Sequence, residues 1–184
     1  MAPVKTLKRH RRIGTLMDVE VRRIRESELE EAVKLSRTVL IDVWERHVRN
    51  YCPRKALKEM LRWEHTPESY RRVLRDPYGF CFVAVAGAKI FGIAMGRIWG
   101  ESGLAFLSWI GVHPDHQRKG VGTRLMGEVL EYCKSRGCHK VTLYTMPVLR
   151  PAVNFYLKLG FVPEAYLHRH WWGADFIVMS KWLT

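Results

Sequence analysis

Gln117-Arg118-Lys119-Gly120-Val121-Gly122 is a glycine-spaced basic turn, and what stands on either side of it sets the reading of the chain. Before it, Leu104-Ala105-Phe106-Leu107-Ser108-Trp109-Ile110-Gly111-Val112 is apolar almost throughout, as in a central strand covered on both faces. After it, Leu125, Met126, Val129, Leu130 and Cys133 recur at three- and four-residue steps, which predicts an amphipathic helix ending at Gly137. A chain that leaves a buried strand, bends through two glycines and enters a helix presents the free amides of the first helical turn outward. That geometry binds anions. Gly120 and Gly122 keep side chains away from those amides and permit positive φ in the bend, while Thr123 adds a hydroxyl. The turn also carries Arg118, Lys119 and Arg124 with no acid before Glu128, although helix starts favour acidic side chains. A bound anion can supply the missing negative charge.

Working outward, Lys140 to Thr145 predicts a further strand, Pro151 to Leu159 a short helix with proline in its first turn, and Gly160 its end. Two strands, Val162 to Trp171 and Phe176 to Trp182, are expected around a turn at Gly173-Ala174-Asp175. Toward the N-terminus, Phe80 to Ala86 and Ile90 to Trp99 read as a hairpin about Gly87-Ala88-Lys89. Val19, Val21 and Ile24 suggest a first strand. Ser27-Glu28-Leu29-Glu30 then reads as a capping box opening a helix whose buried face is Leu29, Ala32, Val33, Leu35, Ser36, Val39, Leu40 and Val43. From Asp42 to Leu74 the pattern is helical but interrupted at Pro53 and Pro67, which predicts two short helices. The sum is an α+β domain over residues 19–184 on a mixed sheet of about seven strands, preceded by a basic, flexible arm over residues 1–18.

With 184 residues, 47% of them hydrophobic, the chain suffices for one domain with a real core. It has no apolar run of membrane-spanning length and opens without the apolar stretch of a secretory signal, so no membrane partner and a cytoplasmic location are expected. Cys52, Cys81, Cys133 and Cys138 lack the spacing of a disulfide scaffold or zinc site and are expected as buried thiols. Thirty-one Lys and Arg against eighteen Asp and Glu give a net charge of +13. Such a field favours anionic partners, nucleotide phosphates and non-specific nucleic acid among them.

The order strand, Gln117-x-x-Gly120-x-Gly122, helix, strand, then Ala152-x-x-Phe155-Tyr156-x-Lys158-x-Gly160-Phe161 resembles the GNAT superfamily of acyl-CoA-dependent N-acyltransferases. The resemblance runs from about Val19 to Leu183, and its specific part is Phe106 to Phe161. It implies a GNAT-like, mostly antiparallel sheet with helices on both faces, and acetyl-CoA as cosubstrate in transfer to a primary amine, a small molecule, a peptide or a protein N-terminus. Carried over, it implies that Ile110, Gly111 and Val112 offer strand backbone to the pantetheine arm. The turn from Gln117 through Arg118, Lys119, Gly120, Val121 and Gly122 to Thr123 would hold the pyrophosphate. Tyr156 would stabilise or protonate the departing thiolate, with a backbone amide near Val112 as oxyanion donor. Read from spacing alone, Tyr156 also fits a core stripe with Val153 and Leu157.

The chain departs from the pattern of the family's N-terminal acetyltransferases in two places. Tyr144 stands where a glutamate base often serves, and Leu149 replaces a frequent helix asparagine. Glu101, Ser108, His113, His168 and His170 are the other candidate bases. The segment Tyr166 to Met179 is similar to the closing hairpin of those enzymes, with Trp171 and Trp172 expected on opposite faces of a strand. A non-catalytic acyl-CoA-binding module and an RNA- or ribosome-associated protein are the alternatives.

Overall fold

The computed structural model describes residues 19–183; the arm expected over residues 1–18 lies outside them. Seven strands, β1 (Glu20–Arg23), β2 (Gly79–Ala86), β3 (Lys89–Ile98), β4 (Leu104–Val112), β5 (Lys140–Thr145), β6 (Val162–Leu167) and β7 (Phe176–Trp182), form one sheet in the order β1-β2-β3-β4-β5-β7-β6. Every neighbouring pair is antiparallel except β4 and β5, which run parallel. The sheet is therefore mixed and mostly antiparallel, as expected.

Among the described residues five α-helices cover it, α1 (Leu29–Val43), α2 (Arg54–Glu59), α3 (Pro67–Arg75), α4 (Val121–Ser135) and α5 (Arg150–Lys158), with π-helical turns at Trp44–Val48 and Met60–Glu64 extending α1 and α2. On one face, Val121, Leu125, Met126 and Val129 of α4 and Tyr156 of α5 pack on Phe80, Phe82, Ala94, Leu107, Val141 and Leu143. On the other, Leu29, Ala32, Val33 and Val39 of α1 and Tyr70 of α3 pack on Cys81, Val83, Ile93 and Met95. The alternation of β2 and β3 between the two sets follows the two-residue period of a strand. The periodic face read for α1 is the buried one, including Ser36, whose Oγ accepts a 2.6 Å hydrogen bond from the Tyr70 hydroxyl.

Local chemistry explains where the elements begin. The capping box falls two residues earlier than Ser27–Glu30: the Glu28 carboxylate accepts from the Arg25 N–H at 2.9 Å, and a one-turn 3-10 segment at Glu26–Glu28 leads into α1. Arg22 selects this arrangement by donating two hydrogen bonds to Glu28, at 2.6 and 2.9 Å. The two prolines open helices, since Pro53 precedes the first residue of α2 and Pro67 is the first residue of α3. There Thr66 and Ser69 satisfy each other's amides reciprocally.

Two expectations change near the C-terminus. β6 ends at Leu167, and Trp171 and Trp172 lie in a tight turn with Trp172 at φ 55° rather than in a strand. All four cysteines are free and buried.

Candidate active site

The feature that organises the site is a fork in the sheet. β4 and β5 are paired from Leu104–Lys140 to Leu107–Leu143 and then part, although β4 runs on to Val112 along β3 and β5 to Thr145 along β7. The parting coincides with a bulge at Ser108, where the β3–β4 register shifts between Met95 and Gly96 and the Ser108 Oγ donates to the Met95 carbonyl at 3.0 Å. Bulges bend and twist the strand that carries them, which turns the end of β4 away from β5. Beyond Leu107, β4 thus has backbone groups facing an opening.

Which groups those are follows from alternation. The His113 N–H donates to the Phe91 carbonyl on β3 at 2.8 Å. The groups of Val112 and Ile110 therefore point the other way, into the fork, and those of Gly111 point to β3. On the open side the Val112 carbonyl accepts a 3.0 Å hydrogen bond from the Gln117 side-chain amide. Gln117, expected in the pyrophosphate turn, ties that turn to the strand end with this side chain.

The turn itself leaves helix-start amides without a cap. Gly120 stands at φ 78° immediately before α4, which has no side-chain cap and no acid in its first turn. The amides of Val121, Gly122 and Thr123 belong to that first turn and have no helical partner; the ladder begins with the Arg124 N–H donating to the Gly120 carbonyl at 3.1 Å. Arg118 is held at φ 58°, a conformation costly for a residue with a Cβ, and the Lys119 Nζ donates to the Asp115 carbonyl at 2.7 Å. A Cβ at Gly122 would lie 3.4 Å from the Phe155 ring of α5 and 3.7 Å from Val112. Strand end, helix start and α5 therefore converge on Gly122.

Tyr156 follows Phe155 on the α5 face of the fork. Its ring is 7% exposed and packs on Phe155 and Phe161, at centroid distances of 5.4 and 5.8 Å. Leu157, its neighbour in the alternative core stripe, is 46% exposed, so α5 is not packed as that stripe requires. Among the described residues the Tyr156 hydroxyl has no hydrogen-bond partner, yet it is not one of the sealed polar atoms, which are His65 Nε2 and Trp109 Nε1. Burial raises its pKa above the ordinary phenol value, so the hydroxyl keeps its proton at neutral pH.

The opposite face of the fork is aromatic. Tyr144, the first β5 residue past the last β4 pair, lies 5.2 Å from Phe106 and 5.3 Å from Trp171 between ring centroids. Trp171 in turn meets Phe176 at 5.2 Å and His170 at 4.6 Å. Trp172 anchors the turn to α2 through a 3.3 Å hydrogen bond from its indole N–H to Glu59.

Of the candidate bases, only His170 joins this cluster, 6.1 Å from Tyr144. His168 pairs with Asp175 at 2.9 Å, and Ser108 has its proton on Met95. His113 accepts from the Asp115 N–H. Glu101 precedes β4, at the far end of that nine-residue strand from Val112 and about 25 Å from it. The Glu59–Trp172 and Phe106–Tyr144 contacts join residues 113 and 38 positions apart, and no local pattern announces them.

Comparison with known proteins agrees with this architecture. Residues 41–161 match the family model described as the acetyltransferase (GNAT) family. An acetyltransferase of Sodalis glossinidius is 29% identical over 145 residues, covering 78% of this chain and 87% of that protein. N-alpha-acetyltransferase 30 of Xenopus laevis is 25% identical over 119 residues, 62% of this chain but less than half, 44%, of that protein. The PaiA N-acetyltransferase of Thermoplasma acidophilum, solved in complex with coenzyme A, superposes with a TM-score of 0.75 at 21% identity over 89% of this chain and 98% of that one. A forked sheet, an uncapped glycine turn at its mouth and a family match over two thirds of the sequence lead to one conclusion: the chain belongs to the GNAT family of acetyltransferases.

Proposed function

We propose that residues 19–184 act as one catalytic domain that transfers an acetyl group from acetyl-CoA to a primary amine by direct attack in a ternary complex. The observation that carries this reading is the fork, which offers unpaired β4 backbone between two differently furnished faces. Amides of Val121, Gly122 and Thr123 hold the pyrophosphate, and the backbone of Ile110 and Val112 pairs with the two amides of the pantetheine arm, a form of strand addition. This brings the thioester to the Tyr156 side of the fork. The amine enters from the Tyr144 side.

The chemistry then needs two charge stabilisers. The nitrogen lone pair attacks the carbonyl carbon, negative charge develops on oxygen, and the Ile110 N–H, which points into the fork one step deeper than the Val112 N–H that pairs with the arm, is placed to receive it. As the C–S bond breaks, its electron pair goes to sulfur, and the Tyr156 hydroxyl donates a hydrogen bond to the thiolate. A phenol whose pKa is raised by burial suits that role better than outright proton transfer, because it stays a donor throughout. The nitrogen loses one proton and the thiolate gains one from solvent, so the step is neutral overall.

Four buried free thiols support a reducing compartment, the cytoplasm, as the place of action; no helix among the described residues is long and apolar enough to cross a membrane. The test is thiol release from acetyl-CoA. Release that depends on added primary amine supports the reading, and acetyl-CoA binding with no amine-dependent release contradicts it. A second, compatible reading is non-specific contact with nucleic acid, supported by the net charge of +13. It requires binding to single-stranded RNA that weakens steeply as salt rises, and no binding at low salt contradicts it.

A further inference from the structure

We infer that the acceptor is a weakly basic primary amine borne on an aromatic or large apolar group, an α-amine rather than a lysine or polyamine, and that Tyr144, Trp171 and Phe176 form the wall that receives that group. The inference rests on the acetyl-transfer reading and specifies its acceptor.

Position comes first. Tyr144 sits where β4 and β5 part. Its ring is on the sheet face opposite Leu143, and Leu143 packs with Tyr156. A group resting on Tyr144 is thus across the fork from the residue that meets the sulfur. The wall is also open: Tyr144 is 36% and Trp171 45% exposed, although both are ringed by aromatic neighbours. Rings that only completed a core would be sealed, as Phe80 and Phe161 are.

The hairpin that carries Trp171 is held rigid from two sides. Asp175 accepts from the Arg169 N–H at 2.8 Å and the Tyr166 hydroxyl at 2.7 Å, and Trp172 is fixed to Glu59 of α2. A preorganised aromatic surface binds an apolar group at low entropic cost.

Charge argues against a polycation. Three carboxylates on the elements that cover this end of the fork are paired, Asp42 with Arg46 at 2.8 Å, Glu45 with Arg49 at 3.7 Å and Glu59 with Lys55 at 3.7 Å, while Glu64, at the end of the segment after α2, has no ion pair among the described residues and has its pKa raised by burial. Asp175 is engaged by its own hairpin and by His168. Tyr144 stands on β5, Phe106 on β4 and Phe176 on β7, so His170 is the ionisable group other than a phenol that the aromatic contacts bring to the wall. An ammonium ion entering here meets π-faces that hold a cation, but the rings themselves bring no carboxylate to strip its proton.

The attacking nitrogen must therefore arrive as its free base. With reference values near 10.4 for lysine and 7.7 to 8.0 for an α-amine, at pH 7.5 about a third of an α-amine is unprotonated against roughly one part in a thousand of lysine. C–N bond formation then accompanies C–S cleavage, the electron pair leaves on sulfur, and the nitrogen's proton departs to solvent at the open wall.

The experiment measures kcat/KM at pH 7.5, by thiol release from acetyl-CoA, for phenylalaninamide, glycinamide, Nα-acetyl-lysinamide and spermidine. Phenylalaninamide is expected to exceed Nα-acetyl-lysinamide by about 100-fold or more, and to exceed glycinamide by about tenfold or more through contact with the wall. Trp171→Ala should bring the phenylalaninamide-to-glycinamide ratio close to one, and Trp171→Phe should keep it. Preference for spermidine or the lysine amide, or equal kcat/KM for phenylalaninamide and glycinamide, overturns the acceptor assignment and leaves acetyl transfer standing. Absence of release with every amine overturns both.

Discussion

At Tyr156 the structure separates two demands on one side chain. The ring completes the core between Phe155 and Phe161, and the hydroxyl has no partner among the described residues. Replacing it by phenylalanine keeps the ring and removes the donor. Tyr156→Phe should therefore lower kcat by about 100-fold while leaving the acetyl-CoA Kd within about twofold and the melting temperature nearly unchanged; calorimetric titration and steady-state kinetics check the two halves. Glu28 poses a different question, one of stability. Two hydrogen bonds from Arg22 hold its carboxyl at a pKa of about 2, below the ordinary value of 4.5. A depressed folded-state pKa contributes stability above the unfolded value that is lost as pH falls from about 4.5 toward about 2. Glu28→Gln should be less stable by about 1 kcal/mol at pH 7, the pair being partly exposed and screened. In urea melts that deficit should shrink below pH 4.5 and vanish near pH 2. At this scale sequence spacing carried the Tyr156 assignment as far as a choice between core and site. Exposed Leu157 and a hydroxyl with no partner among the described residues support the proposed role beside the ring's place in the core. Tyr144 reads in sequence only as a missing carboxylate; that it anchors an aromatic wall depends on rings from β4, β7 and the β6–β7 turn.

At the scale of elements, the turn into α4 is the piece that sequence conveyed most fully, because two glycines and absent acids are local facts with local causes. Gly120 at φ 78° and the close approach of Gly122 to Phe155 give each glycine a separate reason. Gly122→Ala should fold with little loss, since its Cβ makes an ordinary contact. Gly122→Leu should displace Phe155 and raise the acetyl-CoA Kd by about tenfold or more, measured by titration. The ends of the elements were less legible. The start of α1 is shifted by Arg22, which lies outside the helix, and β6 stops because the Trp171–Trp172 turn is fastened to α2, over a hundred residues earlier in the chain. Helix faces, by contrast, follow from periodicity alone, and the face of α1 read from spacing is the face that packs.

The described residues form a sheet divided at one point, with the glycine turn into α4 on one face of the division and an aromatic cluster on the other. The strand inventory and the mixed sheet were readable from pattern, and the helices on both faces followed from the family resemblance. The fork was not, since it arises where pairing stops and from a bulge at Ser108 that no residue type announces. Ligand filling that gap should stiffen the entire sheet. Acetyl-CoA at 100 times its Kd should add about 2.7 kcal/mol of stability, and so raise the melting temperature of a chain of this size by roughly 5–10 °C in a thermal scan. The central claim is that the fork and the turn together form the donor site, and a crystal structure of this chain with coenzyme A tests it most directly. Pyrophosphate oxygens should lie about 2.7–3.2 Å from the amide nitrogens of Val121, Gly122 and Thr123, with the pantetheine arm paired to Ile110 and Val112 inside the fork. Pyrophosphate bound away from the α4 turn, or a pantetheine arm lying outside the fork, would contradict it.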